Sequence, residues 1–304
     1  MKKLRTPEDR FVGLSDYPFT PNYVEIDDTE GGTLRVHYLD EGPADGPVVL
    51  AMHGEPSWSY LYRKMIPPLV EAGLRVIAPD LVGFGKSDKP VDPSDYTYAR
   101  HVAWMQELII DHLDLSEATL FAQDWGGLIG LRLVAAHPDR FSRVIIGNTG
   151  LPTGDVAPSA AFLAWQRFSQ ESPVFPIGQI LQGATHSELT TDEVAAYDAP
   201  FPDETFKAGA RIFPSLVPTS SEDPAAAENR AAWKVLAEWT KPFICCFSDG
   251  DPVTKGGAKP FLEHVPGAEG QAHTTIANAH HFFQEDASPQ LAKLVIDAIG
   301  HPCG

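Results

Sequence analysis

The feature that most constrains this chain is an apolar run that stops at an aspartate and is followed by two glycines. The run, residues 118–122, has the length and character of a buried strand. It leads through Asp124 and Trp125 into Gly126-Gly127 and then into a small, mostly apolar stretch that predicts a helix packed on a sheet. Glycines permit a sharp turn between strand and helix. We therefore expect Asp124 at that turn, with its side chain at the carboxyl edge of the sheet.

The spacing of small residues around Asp124 is that of the nucleophile elbow of α/β hydrolases, but with aspartate where serine is usual. An aspartate is already ionised at neutral pH, because its unperturbed pKa is about 3.9. It can displace a leaving group from a saturated carbon and form an alkyl ester, which water then hydrolyses. A second interpretation is that Asp124 only caps the following helix. The motif alone leaves both open.

Length and charge narrow the class of protein. The 304 residues suit one large α/β domain with an insertion, or two domains, and the formal net charge of −18 argues against nucleic acid or an anionic membrane as partner. The basic start lacks the apolar segment of a signal peptide, and no stretch is long and apolar enough to span a bilayer. The cysteines, Cys245, Cys246 and Cys303, do not form a metal motif. We expect a cytoplasmic protein whose cysteines are small buried hydrophobes in a reducing compartment.

Strands and helices alternate over most of the chain. Apolar strands without alternation, separated by helices, predict a parallel sheet covered on both faces. Between residues 151 and 232 the pattern changes to short helical stretches rich in proline and large apolar residues, without a buried strand. We predict a main domain formed by residues 1–151 and 233–304, and a helical cap domain formed by residues 152–232. The predicted strands are residues 23–27, 34–39, 48–52, 74–78, 118–122, 141–147, 242–247 and 271–277, and the main helices are residues 57–71, 97–113, 126–136 and 289–299.

An acid and a base follow two later strands. Asp249 and Asp251 come after the strand that begins near Phe243, and His280 and His281 follow the last strand. The order nucleophile, acid, base is that of α/β hydrolases, and ligands bind such sheets at the carboxyl ends of strands. We prefer Asp251 over Asp249, which suits a turn. Only one of the adjacent histidines can face the site. Four further histidines are interpreted as structural or solvated: His273 in the last strand, and His101, His112 and His186.

Ester hydrolysis also needs donors for a tetrahedral anion. The backbone N–H groups of Glu55 and Trp125 are in the expected places for this oxyanion hole, and Pro56 cannot donate. The Glu55 side chain is interpreted either as a contact of the attacking water or as a surface carboxylate. The Trp125 indole N–H is a pure donor beside the nucleophile, which suits a departing halide. Trp165, early in the insertion, is a second tryptophan whose pattern favours a packing role.

Taken together, these segments resemble the haloalkane dehalogenases, in particular the subfamily with an Asp-His-Asp triad and two halide-binding tryptophans. The likeness covers about residues 22–299 and is carried by residues 53–58, 123–127 and 197–202, and by Asp251 and His281-Phe282. It implies an α/β-hydrolase fold with a mostly parallel eight-stranded sheet flanked by helices, an inserted helical cap, and neither metal nor organic cofactor. It implies Asp124 as nucleophile, His281 as base, Asp251 as the acid orienting it, and Trp125, Trp165 and Phe162 around the halide.

The expected reaction is hydrolysis of a small neutral haloalkane to alcohol and halide through an ester on Asp124. His280 stands where this family often has glycine, whereas the pairing with Phe282 favours His281. An epoxide hydrolase would need cap hydroxyl donors, typically two tyrosines, but the insertion holds only Tyr197. A dehalogenase of fluorinated carboxylates would need an arginine where Trp125 stands. A non-catalytic ligand receptor is the alternative outside enzymes. Halogen and chain-length preference, tunnel dimensions and oligomeric state stay open.

Overall fold

A central eight-stranded sheet organises the protein, which a computed structural model describes over residues 1–300. Cys303 lies outside the described residues. The strand order across this sheet is β10-β9-β8-β7-β4-β5-β3-β2, and β1 pairs with β6 in a separate two-stranded sheet. The strands are β1 (Lys3–Leu4), β2 (Asn22–Asp27), β3 (Thr33–Glu41), β4 (Val48–Met52), β5 (Arg75–Pro79), β6 (Lys89–Pro90), β7 (Ala118–Gln123), β8 (Phe141–Gly147), β9 (Phe243–Ser248) and β10 (Thr274–Ile276).

The sheet is mostly parallel, as predicted. Only β3 runs antiparallel to its neighbours, β2 and β5, while all other adjacent strands in the large sheet are parallel. All six residues of β7, near the middle of the sheet, are buried. A strand covered on both faces has no polar side to show, which explains why β7 reads as a continuous apolar run rather than an alternating one.

Helices flank this sheet. Helix α3 packs on β7 and also contacts α2 and α8, and α1 packs against α10. The described α-helices are α1 (Ile66–Glu71), α2 (Tyr98–Gln106, continued as a π-helical turn over Glu107–His112), α3 (Trp125–Ala136), α4 (Ala160–Glu171), α5 (Ile177–Gly183), α6 (Thr191–Asp198), α7 (Ala208–Ile212), α8 (Ala226–Leu236), α9 (Ala258–His264) and α10 (Phe283–Gly300).

The stretch between β8 and β9 contains helices α4 to α8 and no strand, and every residue of it is described. A buried polar cluster ties this stretch to the rest of the protein. The Arg63 guanidinium donates to Glu193 of α6 and to Glu285 of α10, and the Tyr197 hydroxyl also donates to Glu285. The exact boundaries of a cap at residues 152 and 232 stay a prediction.

Several element boundaries differ from those predicted. The predicted helix over residues 57–71 is a 3-10 turn at Ser59–Tyr62 followed by the short α1, which carries two prolines in its first turn, where N–H groups have no helical acceptor. The last strand is shorter than predicted. The final helix is preceded by one short helical turn from Phe283, and after a kink at Ala287 it runs through the predicted residues to Gly300, with Pro289 in its first turn.

Of the described helices, none combines the length and the apolar character that crossing a membrane requires. Cys245 and Cys246 are both buried and unpaired, as expected for small hydrophobes in a strand.

Candidate active site

Asp124 lies at the turn between β7 and α3. Its backbone has φ 51° and ψ −128°, a conformation that L-residues rarely adopt, and its side chain makes no capping hydrogen bond to α3. Glycine is required two residues later, since a Cβ on Gly126 would lie 2.0 Å from the carbonyl oxygen of Met52. The capping interpretation of Asp124 is therefore wrong. The turn instead places the carboxylate in a cavity at the carboxyl edge of the sheet.

The Asp124 carboxylate has a different neighbour at each oxygen. Oδ1 accepts a hydrogen bond from the backbone N–H of Glu55 at 2.7 Å. Oδ2 lies 3.5 Å from Nε2 of His281. Close approach of the Glu55 turn depends on Gly54, because a Cβ there would be 2.3 Å from the Cβ of Asp124. One oxygen is thus held by a backbone donor, and the other faces an imidazole.

His281 and Asp251 meet Asp124 from loops that follow β10 and β9. Nδ1 of His281 donates to Oδ2 of Asp251 at 2.8 Å. Asp251 is also held by the Val253 N–H at 2.8 Å and by the Thr254 hydroxyl. Burial raises the pKa of Asp251, but the charge and hydrogen bond of His281 outweigh it and lower the pKa to about 2. Asp251 is therefore ionised and can orient the ring.

The two neighbouring alternatives, Asp249 and His280, make other contacts, although His280 also lines the cavity. The Asp249 carboxylate accepts from the N–H groups of Asn278 and Ala279 at 3.3 and 3.4 Å, so it serves a turn. The His280 ring packs edge-on against His186, with centroids 5.3 Å apart. His281, not His280, is thus the histidine that the structure brings to Asp124.

Electrostatics at His281 depend on the two carboxylates. Burial lowers the pKa of His281, but Asp251 and Asp124 together raise it to about 10. With both carboxylates charged, the imidazole is therefore protonated at neutral pH. Esterification of Asp124 would remove one of the two charges and so favour loss of the proton.

The expected oxyanion donors lie on two turns around Asp124. The Glu55 N–H already touches Oδ1, and Trp125 is the first residue of α3, whose N–H has no acceptor within the helix. The Glu55 side chain is buried, with Oε1 unpartnered. Burial, reinforced by Asp124, raises the pKa of Glu55 well above its usual value. Glu55 is therefore not a surface carboxylate, and its neutral form is favoured.

The two tryptophans line the same cavity but differ in burial and in the side chains that pack against them. The Trp125 side chain is buried between Tyr98, at 5.0 Å between ring centroids, and Phe213, at 4.7 Å. Trp165 of α4 is half-buried, stacks with Phe168 and interacts with the Glu55 carboxyl. Trp165 thus packs on aromatic neighbours, as the sequence pattern favoured, and also lines the cavity that holds Asp124.

One cavity of about 960 Å³ contains these groups. Phe162, one turn before Trp165 on α4, also lines it. The wall is mostly apolar and includes residues from α8, α9 and the loops after β8 and β9. Lys255 is the one Lys or Arg among the described wall residues, and it is exposed. In the part of the chain that is described, no group of His, Cys, Asp or Glu has an arrangement that would hold a metal ion.

Sequence reasoning missed several residues that support the site. Asn148, at φ 44°, donates to the carbonyls of His280 and His281 at 2.9 Å, which fixes the histidine loop. The Thr149 hydroxyl donates to the Asp124 carbonyl at 2.6 Å, and Gln123 contacts His281. The one usable signal was position, since Asn148 and Thr149 directly follow β8 at the same sheet edge.

The other histidines have structural surroundings. His101 is buried among Tyr96, Trp104 and Phe213, and burial lowers its pKa to about 3, so it is neutral. His273 accepts from the Cys245 N–H and bonds the Ala268 carbonyl, which anchors the start of β10. His112 is partly exposed near Glu107. None of these residues lines the cavity.

Comparison with known proteins identifies the family. Residues 47–288 match the model of the alpha/beta hydrolase fold. The haloalkane dehalogenase of Psychrobacter cryohalolentis is 60% identical over 299 residues, which cover 98% of each chain. That of Mycolicibacterium paratuberculosis is 51% identical over 296 residues, 97% of this chain and 98% of the relative.

Solved structures agree. The haloalkane dehalogenase of Paraglaciecola agarilytica, solved as a tetramer, superimposes with a TM-score of 0.90 at 36% identity, covering 99% of this chain and 98% of that one. A structure of a putative ancestral haloalkane dehalogenase gives a TM-score of 0.77 at 27% identity, over 92% and 98% of the two chains. The chain therefore belongs to the haloalkane dehalogenases, hydrolases that act on carbon–halogen bonds.

Proposed function

We propose that this protein hydrolyses neutral haloalkanes through a covalent ester on Asp124. The observation that carries the proposal is the geometry of the Asp124 carboxylate in the cavity, where Oδ1 accepts the Glu55 N–H at 2.7 Å and Oδ2, with no backbone donor, lies 3.5 Å from His281 Nε2. In the first step Oδ2 bonds to the substrate carbon, and the carbon–halogen bond breaks with its electron pair leaving on the halide. Oδ1 becomes the carbonyl oxygen of the ester and is already beside a donor.

In the second step, water attacks the carboxyl carbon of the ester. Nε2 of His281 takes the water proton, and the adjacent Asp251, 2.8 Å from Nδ1, stabilises the imidazolium that forms. Negative charge develops on Oδ1, near the N–H groups of Glu55 and Trp125. The bond between the carboxyl carbon and Oδ2 then breaks, and the alcohol leaves with the original Oδ2 and the proton held by His281. The water oxygen stays in the Asp124 carboxyl group, whose remaining proton passes to His281.

The halide would be received by Trp125 and Trp165, with Phe162 completing the apolar wall. Indole N–H groups donate without accepting, so they favour an anion over water oxygen in a dry cavity. Trp165 also interacts with Glu55. Trp125 is buried between two aromatic rings whereas Trp165 is half-buried, which favours Trp125 as the stronger of the two ligands.

Substrate charge and size follow from the cavity wall. No described lysine or arginine other than the exposed Lys255 lines the wall, which supports a neutral substrate. A volume of about 960 Å³ exceeds what a two-carbon substrate would fill, so longer alkyl chains should gain by burying more methylenes. We expect kcat/KM to rise from 1-bromoethane to 1-bromohexane, and a flat series would contradict this part of the proposal.

The alternative function of epoxide hydrolase lacks the hydroxyl donors that it would need from the insertion. Tyr197, the single tyrosine of the insertion, donates to Glu285 in the buried Arg63 cluster and is absent from the cavity wall. It is therefore not placed to protonate an opening epoxide. We also propose a cytoplasmic location, supported by the buried, unpaired Cys245 and Cys246.

The deciding experiment is a trap. The His281→Gln variant should still release one equivalent of bromide from 1-bromobutane. It should then carry a butyl group on the peptide that contains Asp124. Mass spectrometry of that peptide reads the result directly. In the unmodified protein, a single turnover in oxygen-18 water should place label in the Asp124 carboxylate. Label found only in the alcohol after one turnover would refute the ester.

A further inference from the structure

The amide of Gln123 makes a contact that the two-step reaction does not by itself explain. Gln123 is the last residue of β7, directly before the nucleophile, and its side chain is fully buried. Its Nε2 lies 2.9 Å from Nε2 of His281, the atom that must accept the water proton. The same amide nitrogen lies 3.2 Å from the carbonyl oxygen of His281.

The second contact determines which way the amide faces. A carbonyl oxygen can only accept, so the atom of Gln123 that approaches the His281 carbonyl must be the donor nitrogen. With that orientation, the nitrogen also presents a hydrogen to the imidazole. An imidazole nitrogen satisfies this hydrogen only with its lone pair, that is, when Nε2 carries no proton.

Asp124 acts on the same atom in the opposite sense. Its Oδ2, 3.5 Å from Nε2, favours a proton there, and the charged group Asp251 across the ring does so as well. Glu55, the remaining acidic group facing His281, is mostly neutral because burial raises its pKa. Before the first step the carboxylates dominate. After esterification Asp124 has lost its charge, and the Gln123 amide is the neighbour left at Nε2.

We propose that Gln123 is a positioning residue that stabilises the unprotonated Nε2 of His281 while Asp124 is esterified, which rests on the proposed function above. Its amide keeps the bond to the His281 carbonyl when water takes its place at Nε2. A glutamate at this position would favour the protonated ring, and a leucine would favour neither form. Glutamine offers an uncharged N–H donor, and such a donor stabilises the unprotonated nitrogen that must accept the water proton.

The test measures the pH dependence of ester hydrolysis alone. Gln123→Glu, Gln123→Leu and the unmodified protein are mixed with 1-bromobutane, and the bromide burst and the lifetime of the butyl-enzyme are followed from pH 6 to pH 10. In Gln123→Glu, we expect the burst to remain and the midpoint for hydrolysis to rise by at least about one pH unit. Each unit slows hydrolysis about tenfold below the midpoint. Gln123→Leu should shift the midpoint upward by less.

Asn148→Gly is the matched control, because Asn148 also holds the His281 carbonyl, at 2.9 Å, without touching Nε2. Glycine tolerates the positive φ of 44° at this position. This variant should slow hydrolysis equally at every pH and leave the midpoint in place. An unshifted midpoint in Gln123→Leu or in Gln123→Glu would overturn the proposal and reduce Gln123 to a tether. Absence of a burst in the unmodified protein would instead refute the proposed function.

Discussion

Asp124 and Trp165 line one cavity, and the chain holds them in different ways. The backbone of Asp124 is fixed at both ends, by its N–H to the Asn148 carbonyl at 3.0 Å and by the Thr149 hydroxyl on its own carbonyl at 2.6 Å. Trp165 lies on α4, where Leu163 and Phe168 leave 42% and 41% of their surface exposed. Asp124, the proposed nucleophile, is held by hydrogen bonds at the sheet edge, whereas Trp165, the proposed halide ligand of the insertion, is held by partial apolar packing.

This contrast indicates which part of the site tolerates displacement of its side chains. Hydrogen bonds at the end of a buried strand tolerate little displacement, since a broken bond leaves a buried polar group unsatisfied. Stacking between Trp165 and Phe168, with ring centroids 5.9 Å apart, tolerates small shifts. We infer that the ester chemistry is insensitive to the surroundings of α4, and that halide and substrate selection depend on them.

The largest expected loss of activity follows from a substitution of Asp124, at the sheet edge. Asp124→Asn removes the attacking anion, so kcat for bromide release should fall by on the order of 10⁴-fold or more. Asp249→Asn, which alters the neighbouring turn, is the control and should retain activity within about tenfold, since that carboxylate only holds two backbone N–H groups worth about 1 kcal/mol each. Equal losses in both variants would break the assignment of the nucleophile.

The two tryptophans test the comparison directly. Trp125→Phe should lower kcat about 100-fold, the effect of losing one donor to a developing anion. Trp165→Phe should cost less, because Trp165 is half-buried on a helix that is partly exposed and its indole is held less firmly. Bromide affinity, measured by quenching of the remaining tryptophan fluorescence, should fall in the same order. A larger loss in Trp165→Phe would reverse the ranking of the two sides.

The ion pair of Asp251 and His281 predicts a pH window for stability. The pKa of Asp251 is lowered to about 2 and that of His281 is raised to about 10. The contribution is therefore complete between about pH 4 and pH 6.5, where both groups are charged in the unfolded chain, and it is lost towards pH 2 and towards pH 10. Asp251→Asn should lower the free energy of unfolding by about 2 kcal/mol inside that window.

Urea unfolding at pH 3, 5.5 and 9.5 measures this difference. We expect the gap between the unmodified protein and Asp251→Asn to be widest at pH 5.5. A gap that does not change with pH would show that the pair contributes packing rather than charge.

The smallest effect concerns the helix that carries Trp165. The Ser159 hydroxyl accepts from the Phe162 N–H at 3.1 Å and caps α4. Ser159→Ala should destabilise that helix by about 1 kcal/mol, which hydrogen exchange of the α4 amides would detect. Thr97→Ala removes the equivalent cap of α2, where Thr97 accepts from the Arg100 N–H at 3.1 Å. Only the Ser159 variant should weaken bromide binding. The same loss in both would remove the distinction between the two regions.

Much of the site was readable from short patterns. The buried strand, the aspartate and the glycines after it form one local unit, because a strand covered on both faces is an uninterrupted apolar run and the turn admits no Cβ at Gly126. Element ends were predicted less well. The helix expected over residues 57–71 is broken into a 3-10 turn and the short α1, whose first turn carries two prolines that cannot donate an N–H within a longer helix.

Which of two neighbouring residues reaches the site was decided by the tertiary structure and not by the sequence pattern. His280 and His281 are adjacent and chemically identical, as are Asp249 and Asp251, so composition and spacing cannot rank them. The paths of the loops after β9 and β10 send one member of each pair to Asp124 and the other into turns and packing. Gln123 reached His281 in the same way, across a sequence distance of 158 residues.

Local sequence was enough to indicate an aspartate nucleophile on a strand-to-helix bend, since the geometry of that bend depends only on residues a few positions apart. The proton state of its base was settled by long-range contacts. It depends on Asp251 after β9 and on Gln123 and Asp124 at the end of β7, which the fold brings to one imidazole, and electrostatic effects of this kind act through distance in space rather than along the chain.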